Sequence, residues 1–122
     1  MKRLALLALL VPACKPRFEE LTLSLASGPP AGARADADEI ELPVGLAALV
    51  EADLRSASRV DYERGEDPLE LRSDDEQILI VEPTERAWEF VLIAVAVGET
   101  CVQVIVDGDS ETCIPARVVA QE

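Results

Sequence analysis

The stretch that decides the fold is residues 101–119, which read CVQVIVDGDSETCIPARVV. Asp107-Gly108 supplies a tight turn, and residues 112–119 return as an antiparallel strand. Pro115 has no amide proton, so it favours an edge or a bulge of the sheet. These features predict a β-hairpin. Three valines recur at every second position and predict its buried face: Val102, Val104 and Val106.

Cys101 and Cys113 lie on the two strands of this hairpin, one on each side of its turn. Their placement on neighbouring strands allows a disulfide, which would stabilise a loop of this size by roughly 2 to 3 kcal/mol. Two buried free thiols are the alternative interpretation. A metal site is not expected, because two cysteines without any histidine are too few ligands for zinc.

Alternating segments continue upstream of the hairpin and bring the prediction to about eight or nine short strands. Residues 46–54 fit both a helical stripe and alternation, and their neighbours favour a strand. Residues 26–35 are rich in Gly, Pro and Ala, which predicts a loop. Residues 77–82 and 88–97 are apolar on both faces, which predicts the central strands. The remaining predicted strands are residues 21–25, 39–44, 60–62 and 69–72.

Short strands separated by turns, without a long amphipathic helix, are typical of an all-β sandwich. Three blocks of the chain resemble successive segments of bacterial immunoglobulin-like domains: residues 40–45 (IELPVG), residues 68–81 (PLELRSDDEQILIV) and residues 94–108 (AVAVGETCVQVIVDG). The similarity spans about residues 18–119. The resemblance implies an immunoglobulin-like antiparallel β-sandwich outside the cytoplasm, used for adhesion, spacing or protein contact, and it supplies no catalytic residue.

The N-terminus has the order of an export signal: basic Lys2-Arg3, the apolar run Leu4–Val11, then Pro12-Ala13-Cys14. As a helix the apolar run would extend about 12 Å, against roughly 30 Å of bilayer hydrocarbon. It is therefore too short to be a stable transmembrane span.

Residues 11–14 (VPAC) resemble the lipobox of bacterial lipoproteins, which implies cleavage before Cys14 and lipidation of its sulfur. Lipidation would also account for the odd number of cysteines. Lys15 after Cys14 favours sorting to the outer membrane. Ordinary cleavage near Ala13 and an uncleaved buried segment are the alternatives. The predicted division is a signal peptide at residues 1–13, a lipidated tether at residues 14–17 and the sandwich domain at residues 18–122.

Composition excludes several classes of function. The 11 basic and 24 acidic residues give a net charge of −13, which repels phosphate backbones, so no nucleic-acid partner is expected. Because the chain contains no His, it cannot form a Ser-His-Asp triad. We therefore expect no enzyme and no cofactor. The expected partners are a membrane, through the lipid on Cys14, and a protein whose identity the sequence does not reveal.

Two further groups of residues are candidate binding sites. Acidic clusters occur at residues 36–39, 74–76 and 107–109, and none has the twelve-residue calcium-loop spacing. A solvated acidic face is the simpler interpretation, and loop-bound calcium is the alternative. Trp88 and Tyr62 could form a contact platform, although a Trp buried in a central strand is the more frequent arrangement in sandwiches.

The leading hypothesis is a small lipoprotein of the cell envelope, anchored in the outer membrane and facing the periplasm or the cell surface. Its single immunoglobulin-like domain would act by binding or spacing. A soluble periplasmic accessory subunit, which adds an exposed edge strand to a partner's sheet, is the second hypothesis. A calcium-dependent adhesin is the third.

Overall fold

Nine β-strands and no helix form in the part of the chain that the computed structural model describes, residues 15–26 and 31–121. The predicted signal peptide, Cys14 and part of the loop at 26–35 lie outside the described residues. The strands are β1 (Phe18–Leu25), β2 (Arg34–Ala35), β3 (Ile40–Pro43), β4 (Ala47–Ser56), β5 (Leu69–Ser73), β6 (Leu79–Pro83), β7 (Glu89–Ala94), β8 (Gly98–Val106) and β9 (Asp109–Val119).

The strands form two sheets, one with the order β1-β4-β7-β6 and one with the order β2-β3-β9-β8-β5. When β2 and β3 are set aside, the sheets have the A-B-E-D and C-F-G strand orders of the immunoglobulin fold. The predicted all-β immunoglobulin-like sandwich is therefore confirmed. One pair departs from the antiparallel expectation: β3 runs parallel to β9, because the chain crosses to the second sheet after β1 and enters it beside the last strand.

Strict alternation settles the ambiguous segment at residues 46–54 in favour of a strand. Within β4, Ala48, Val50, Ala52 and Leu54 are buried and the residues between them are exposed. This period of two matches a strand with one face in the core. Strands from both sheets contribute the side chains that are fully buried between them: Ile40, Leu42, Val50, Leu79, Leu92, Val102, Val104, Ile114 and Val118.

The predicted hairpin is confirmed, and its turn explains its sequence. Asp107 and Gly108 have φ values of 50° and 85°, the left-handed pair that a two-residue hairpin turn requires. Pro115 pairs with Cys101 of β8, one residue before the pairing of β9 with β3 begins at Ala116. Pro115 is thus locally at an edge, while the bulge lies elsewhere, between Val104 and Ile105.

Two predicted strands are corrected in their place in the sheet or their extent. The segment 77–82 yields β6, which is an edge strand and not a central one, whereas β7 is central as predicted. The segment 88–97 ends as a strand at Ala94, and Val97 is 61% exposed in the turn that follows. Both segments have two apolar faces, which predicts central strands, but only one face of each segment is covered by the opposite sheet.

The predicted strand at residues 60–62 does not form. The hydroxyl of Ser58 accepts the amide of Val60 at 3.2 Å, and a carboxylate oxygen of Asp67 accepts the amide of Glu63 at 2.6 Å. These local bonds between side chains and backbone satisfy amides that a strand would have directed to a neighbour.

Candidate functional site

Cys101 and Cys113 are joined by a disulfide across the β8–β9 hairpin, with their Cα atoms 5.7 Å apart. The two residues are half-buried and lie on the outer face of the five-stranded sheet. The predicted pairing is therefore confirmed, and the alternative of free thiols is not seen. The bond fixes the register of the hairpin that supplies three buried valines to the core.

Asp74 lies beside this disulfide, although 39 residues separate it from Cys113 in the sequence and no sequence pattern links the two. One of its carboxylate oxygens is 3.9 Å from the sulfur of Cys113, and the side-chain amide of Gln103 donates to Asp74 at 3.2 Å. Asp74, Cys101 and Cys113 form the one cluster of potential metal ligands within residues 15–26 and 31–121. With the two sulfurs bonded to each other, only the carboxylate remains as a ligand.

The acidic loops at the hairpin turn crowd together at one end of the sandwich. Burial raises the pKa of Asp107, and the charges of Asp67 and Asp109 raise it further, while Lys15 lowers it. Burial also raises the pKa of Tyr62, with smaller contributions from the charges of Glu111, Asp107 and Asp67. Ionisation of Asp107 and of Tyr62 is therefore less favourable at this end of the molecule than in water.

A second pair of carboxyl groups shares this end. The pKa of Glu63 is raised first by a hydrogen bond with the side chain of Glu66 and then by the charge of Glu66. Both side chains are exposed, so solvent screens their interaction.

The other acidic groups singled out in the sequence serve as turn caps. Asp36 accepts the amides of Asp38 and Glu39 at 2.8 and 2.9 Å. Asp75 accepts the amide of Gln77 at 2.9 Å. Such bonds between a carboxylate and the amides two or three residues later stabilise the turn itself. Asp36 and Asp75 therefore each stabilise their own turn, and these two carboxylates do not form a common site.

Trp88 is buried and is not part of an exposed platform. It is 5% exposed, and its indole nitrogen donates to the carbonyl of Asp67 at 2.8 Å. It lies just before β7, not within it, with a φ of 60°. The guanidinium group of Arg64 lies over its ring, 5.0 Å from the centroid, and donates to the carbonyls of Ala52 and Ala87 at 3.0 and 3.1 Å.

Arg64 therefore attaches the 57–68 loop to the four-stranded sheet through three contacts. In the sequence, Arg64 begins the segment at residues 64–68 (RGEDP), whose Gly, Asp and Pro predict only a turn. A lone Arg near Gly, Asp and Pro carries no sequence signal for a distant Trp, so this role is visible only in the structure.

The residues that follow Cys14 are attached to the domain. The hydroxyl of Ser58 donates to the carbonyl of Lys15 at 3.0 Å. The amide of Arg17 donates to the hydroxyl of Ser56 at 3.1 Å, and its carbonyl accepts the amide of Ala57 at 2.7 Å. The predicted tether at 14–17 is thus bound to the end of β4 from Lys15 onward.

The outer faces of the two sheets differ in polarity. Residues on the outer face of the four-stranded sheet form a contiguous group that we call the outer aliphatic patch: Ala47, Leu49, Ile80, Val91 and Ile93. The corresponding face of the five-stranded sheet carries mainly polar and charged side chains, among them Glu41, Glu70, Arg72, Gln103 and Arg117.

The fold is similar to that of a solved structure of domains 4 and 5 of the S-layer protein SbsC. The TM-score is 0.56 with 19% sequence identity, over 87% of this chain and 54% of that chain. The chain thus spans about half the length of the chain it matches, and the likeness is one of fold. No family model and no curated protein matches the sequence. None of the described residues belongs to a helix long and apolar enough to cross a membrane.

Proposed function

We propose that this protein is a non-catalytic β-sandwich of the cell envelope, anchored by acyl chains on Cys14, that acts by contact with another protein or as a spacer. The observation that carries the proposal is the start of the folded domain directly after Cys14, the residue at which the signal-like sequence ends. The fold, shared with domains of an S-layer protein, is consistent with a surface role.

The contacts of Lys15 have a geometric consequence for an anchored protein. The carbonyl of Lys15 is hydrogen-bonded to Ser58, so almost no free chain would separate a lipid on Cys14 from the folded domain. The domain would therefore lie close to the bilayer. A lipid anchor with two or more acyl chains gives lasting attachment, whereas one chain binds only marginally. The end of the sandwich that carries Ser56 and Ser58 would then face the membrane.

The anchoring is tested by intact mass. We expect the full chain, expressed in a bacterium and extracted from membranes, to begin at Cys14 and to carry the added mass of acyl chains. Cys14→Ser should remove that mass, because serine offers no sulfur for the lipid. Lys15→Ser is the control, and it should leave acylation intact. A wild-type protein that retains Met1 and remains in the cytosol would show that the proposal is wrong.

A second candidate function is favoured by the edge strand β1. From Glu20 to Leu25 this strand pairs with β4 without a register shift, and its other edge has no strand partner among the described residues. The other sheet edges are shorter, and one of them, β6, ends in Pro83. A regular open edge can accept a strand from a partner. A soluble accessory subunit of this kind would co-purify with its assembly and carry no acyl chain.

A further inference from the structure

We infer that the outer aliphatic patch is a docking surface for a protein whose own surface combines aliphatic side chains with adjacent Lys or Arg residues. The inference deepens the proposed function, on which it rests, by naming the surface and the chemistry of its partner.

The patch consists of neighbours across three strands. Ile93 of β7 lies opposite Ala47 of β4 on one side and opposite Ile80 of β6 on the other. Val91 lies opposite Leu49, which is 37% exposed. Contiguous apolar surface of this kind marks interaction sites, unlike scattered single residues.

The fold itself does not require these side chains to be aliphatic. The core of the four-stranded sheet is made by the alternate residues of the same strands, such as Val50, Phe90 and Leu92. The outer face of the five-stranded sheet shows that this protein can build a polar solvent-facing surface. Residues 77–82 and 88–97 are apolar on two faces, which predicted central strands. Packing within the domain explains the inner face of each segment and leaves the outer face unexplained.

The charge beside the patch defines the partner. On the same outer face of β4, Glu51 follows Leu49, and Asp53 follows Glu51. Glu82 lies opposite Val91 on β6. Arg55, the basic residue at the end of this face, is already paired with Glu19 and Glu20 at 2.8 and 2.9 Å.

A partner that covers the patch therefore meets carboxylates at its border that form no ion pair with any described residue. Lys or Arg at the rim of the partner would pair with them, and complementary charge sets the specificity and the rate of association. A second copy of this chain is disfavoured, because each copy carries a net charge of −13.

The patch is also far from the proposed anchor. Leu49 and Ser56 lie on the same strand, seven residues apart, which corresponds to roughly 23 Å at the rise of an extended strand. Ser56 contacts the residues that follow Cys14, whereas the patch lies toward the opposite end of the sheet. On an anchored domain the patch would be presented away from the bilayer.

The test uses the processed chain, residues 14–122 with Cys14→Ser, because all side chains of the described core lie between Leu21 and Val118. The probe is a synthetic peptide of alternating Leu and Lys, and a Ser/Lys peptide of equal charge is the control. Binding is followed by amide chemical shifts in two-dimensional NMR. We expect the Leu/Lys peptide to shift the amides of β4, β6 and β7 around the patch, and we expect the Ser/Lys peptide to bind at least tenfold more weakly.

Two variants locate the site. Leu49→Ser with Ile93→Ser should weaken binding of the Leu/Lys peptide at least tenfold, whereas Ile105→Ser, on the outer face of the other sheet, should leave it unchanged. Circular dichroism verifies that each variant is folded. Equal binding of both peptides, or shifts spread over the whole acidic surface, would overturn the inference.

Two other occupants are separate outcomes of the same experiment. Sedimentation equilibrium that shows a dimer, lost in the Leu49→Ser variant, would assign the patch to a second copy and contradict the inference. Patch amides that shift when residues 1–13 are restored, without any peptide, would assign it to the chain's own N-terminus and contradict it as well. Because all these measurements omit the lipid, their failure is distinguishable from a failure of the anchoring.

Discussion

At the scale of single residues, Arg64 is expected to contribute more to stability than its exposure suggests. Arg64→Ala removes two hydrogen bonds to backbone carbonyls and the contact with the ring of Trp88. We expect a loss of about 1 to 2 kcal/mol in the free energy of unfolding, measured by urea denaturation. We also expect a red shift of the Trp88 emission, because the ring loses its cover.

Arg59→Ala is the matched control for this prediction. It removes the same charge from the same loop, and Arg59 forms no hydrogen bond or ion pair with any described residue. If the two variants unfold at the same urea concentration, Arg64 contributes only its charge, and its contacts with the sheet do not stabilise the fold.

The pKa of Asp107 predicts a second effect at the residue scale. Since burial and neighbouring carboxylates raise this pKa above its ordinary value of 3.8, ionisation of Asp107 costs stability. The cost is present at neutral pH and is lost as the pH falls through the folded pKa toward the ordinary value. Asp107→Asn should therefore stabilise the protein at pH 7, and less at pH 3, and the effect should be small because solvent screens this exposed side chain.

The conformation of this residue adds a contribution that does not depend on pH. Asp107 has a φ of 50° before Gly108, and Asn-Gly is the preferred sequence for such a turn. Urea denaturation at pH 3 and pH 7 separates the two contributions. Asp61→Asn, an exposed substitution of the same kind, is the control. An Asp107→Asn variant that is less stable than the wild type at pH 7 would contradict the prediction.

At the scale of elements, the hairpin β8–β9 depends on its disulfide. Replacing both Cys101 and Cys113 with Ser should lower the free energy of unfolding by about 2 to 3 kcal/mol, because the unfolded chain regains the entropy of a loop with a sequence separation of 12. Reduction with dithiothreitol should shift the urea midpoint of the wild type similarly and leave the double variant unchanged. A wild type that is insensitive to reduction would contradict the prediction.

The elements also show what the sequence could and could not predict. Alternation correctly predicted the hairpin, because a period of two reports directly on one buried face. For β4 alternation competed with a helical stripe, and the neighbouring strands correctly decided the prediction. The apolar pattern misplaced β6, because an apolar face predicts that something covers it but not whether the cover belongs to the same domain. The segment at 60–62 alternates too, but local bonds from Ser58 and Asp67 determine its conformation.

The site residues divide in the same way. Cys101 and Cys113 could be paired from sequence because a short hairpin joins them. Asp74 could not be placed beside Cys113, since 39 residues separate the two and only the sheet order brings β5 next to β8. Cys14 lies outside the described residues, so its lipidation stays a prediction.

At the scale of the whole molecule, excess negative charge should make stability dependent on salt. Among the described residues, ion pairs join three arginines to five glutamates: Arg55 with Glu19 and Glu20, Arg72 with Glu70, and Arg117 with Glu39 and Glu41. The remaining carboxylates repel one another, and salt screens this repulsion. We expect the melting temperature to rise by several degrees between low and moderate NaCl, and a fall would contradict this account.

The same charge allows a sharp test of calcium binding. Divalent cations screen carboxylates whether or not a site exists, so the informative comparison is CaCl2 against MgCl2 at equal concentration. Asp36 and Asp75 already accept backbone amides as turn caps, which leaves their loops without a converging set of ligands. We therefore expect both salts to raise the melting temperature equally in scanning calorimetry. A rise with calcium that magnesium does not reproduce, and that Asp75→Asn abolishes, would instead require a loop calcium site, because screening alone does not distinguish the two ions.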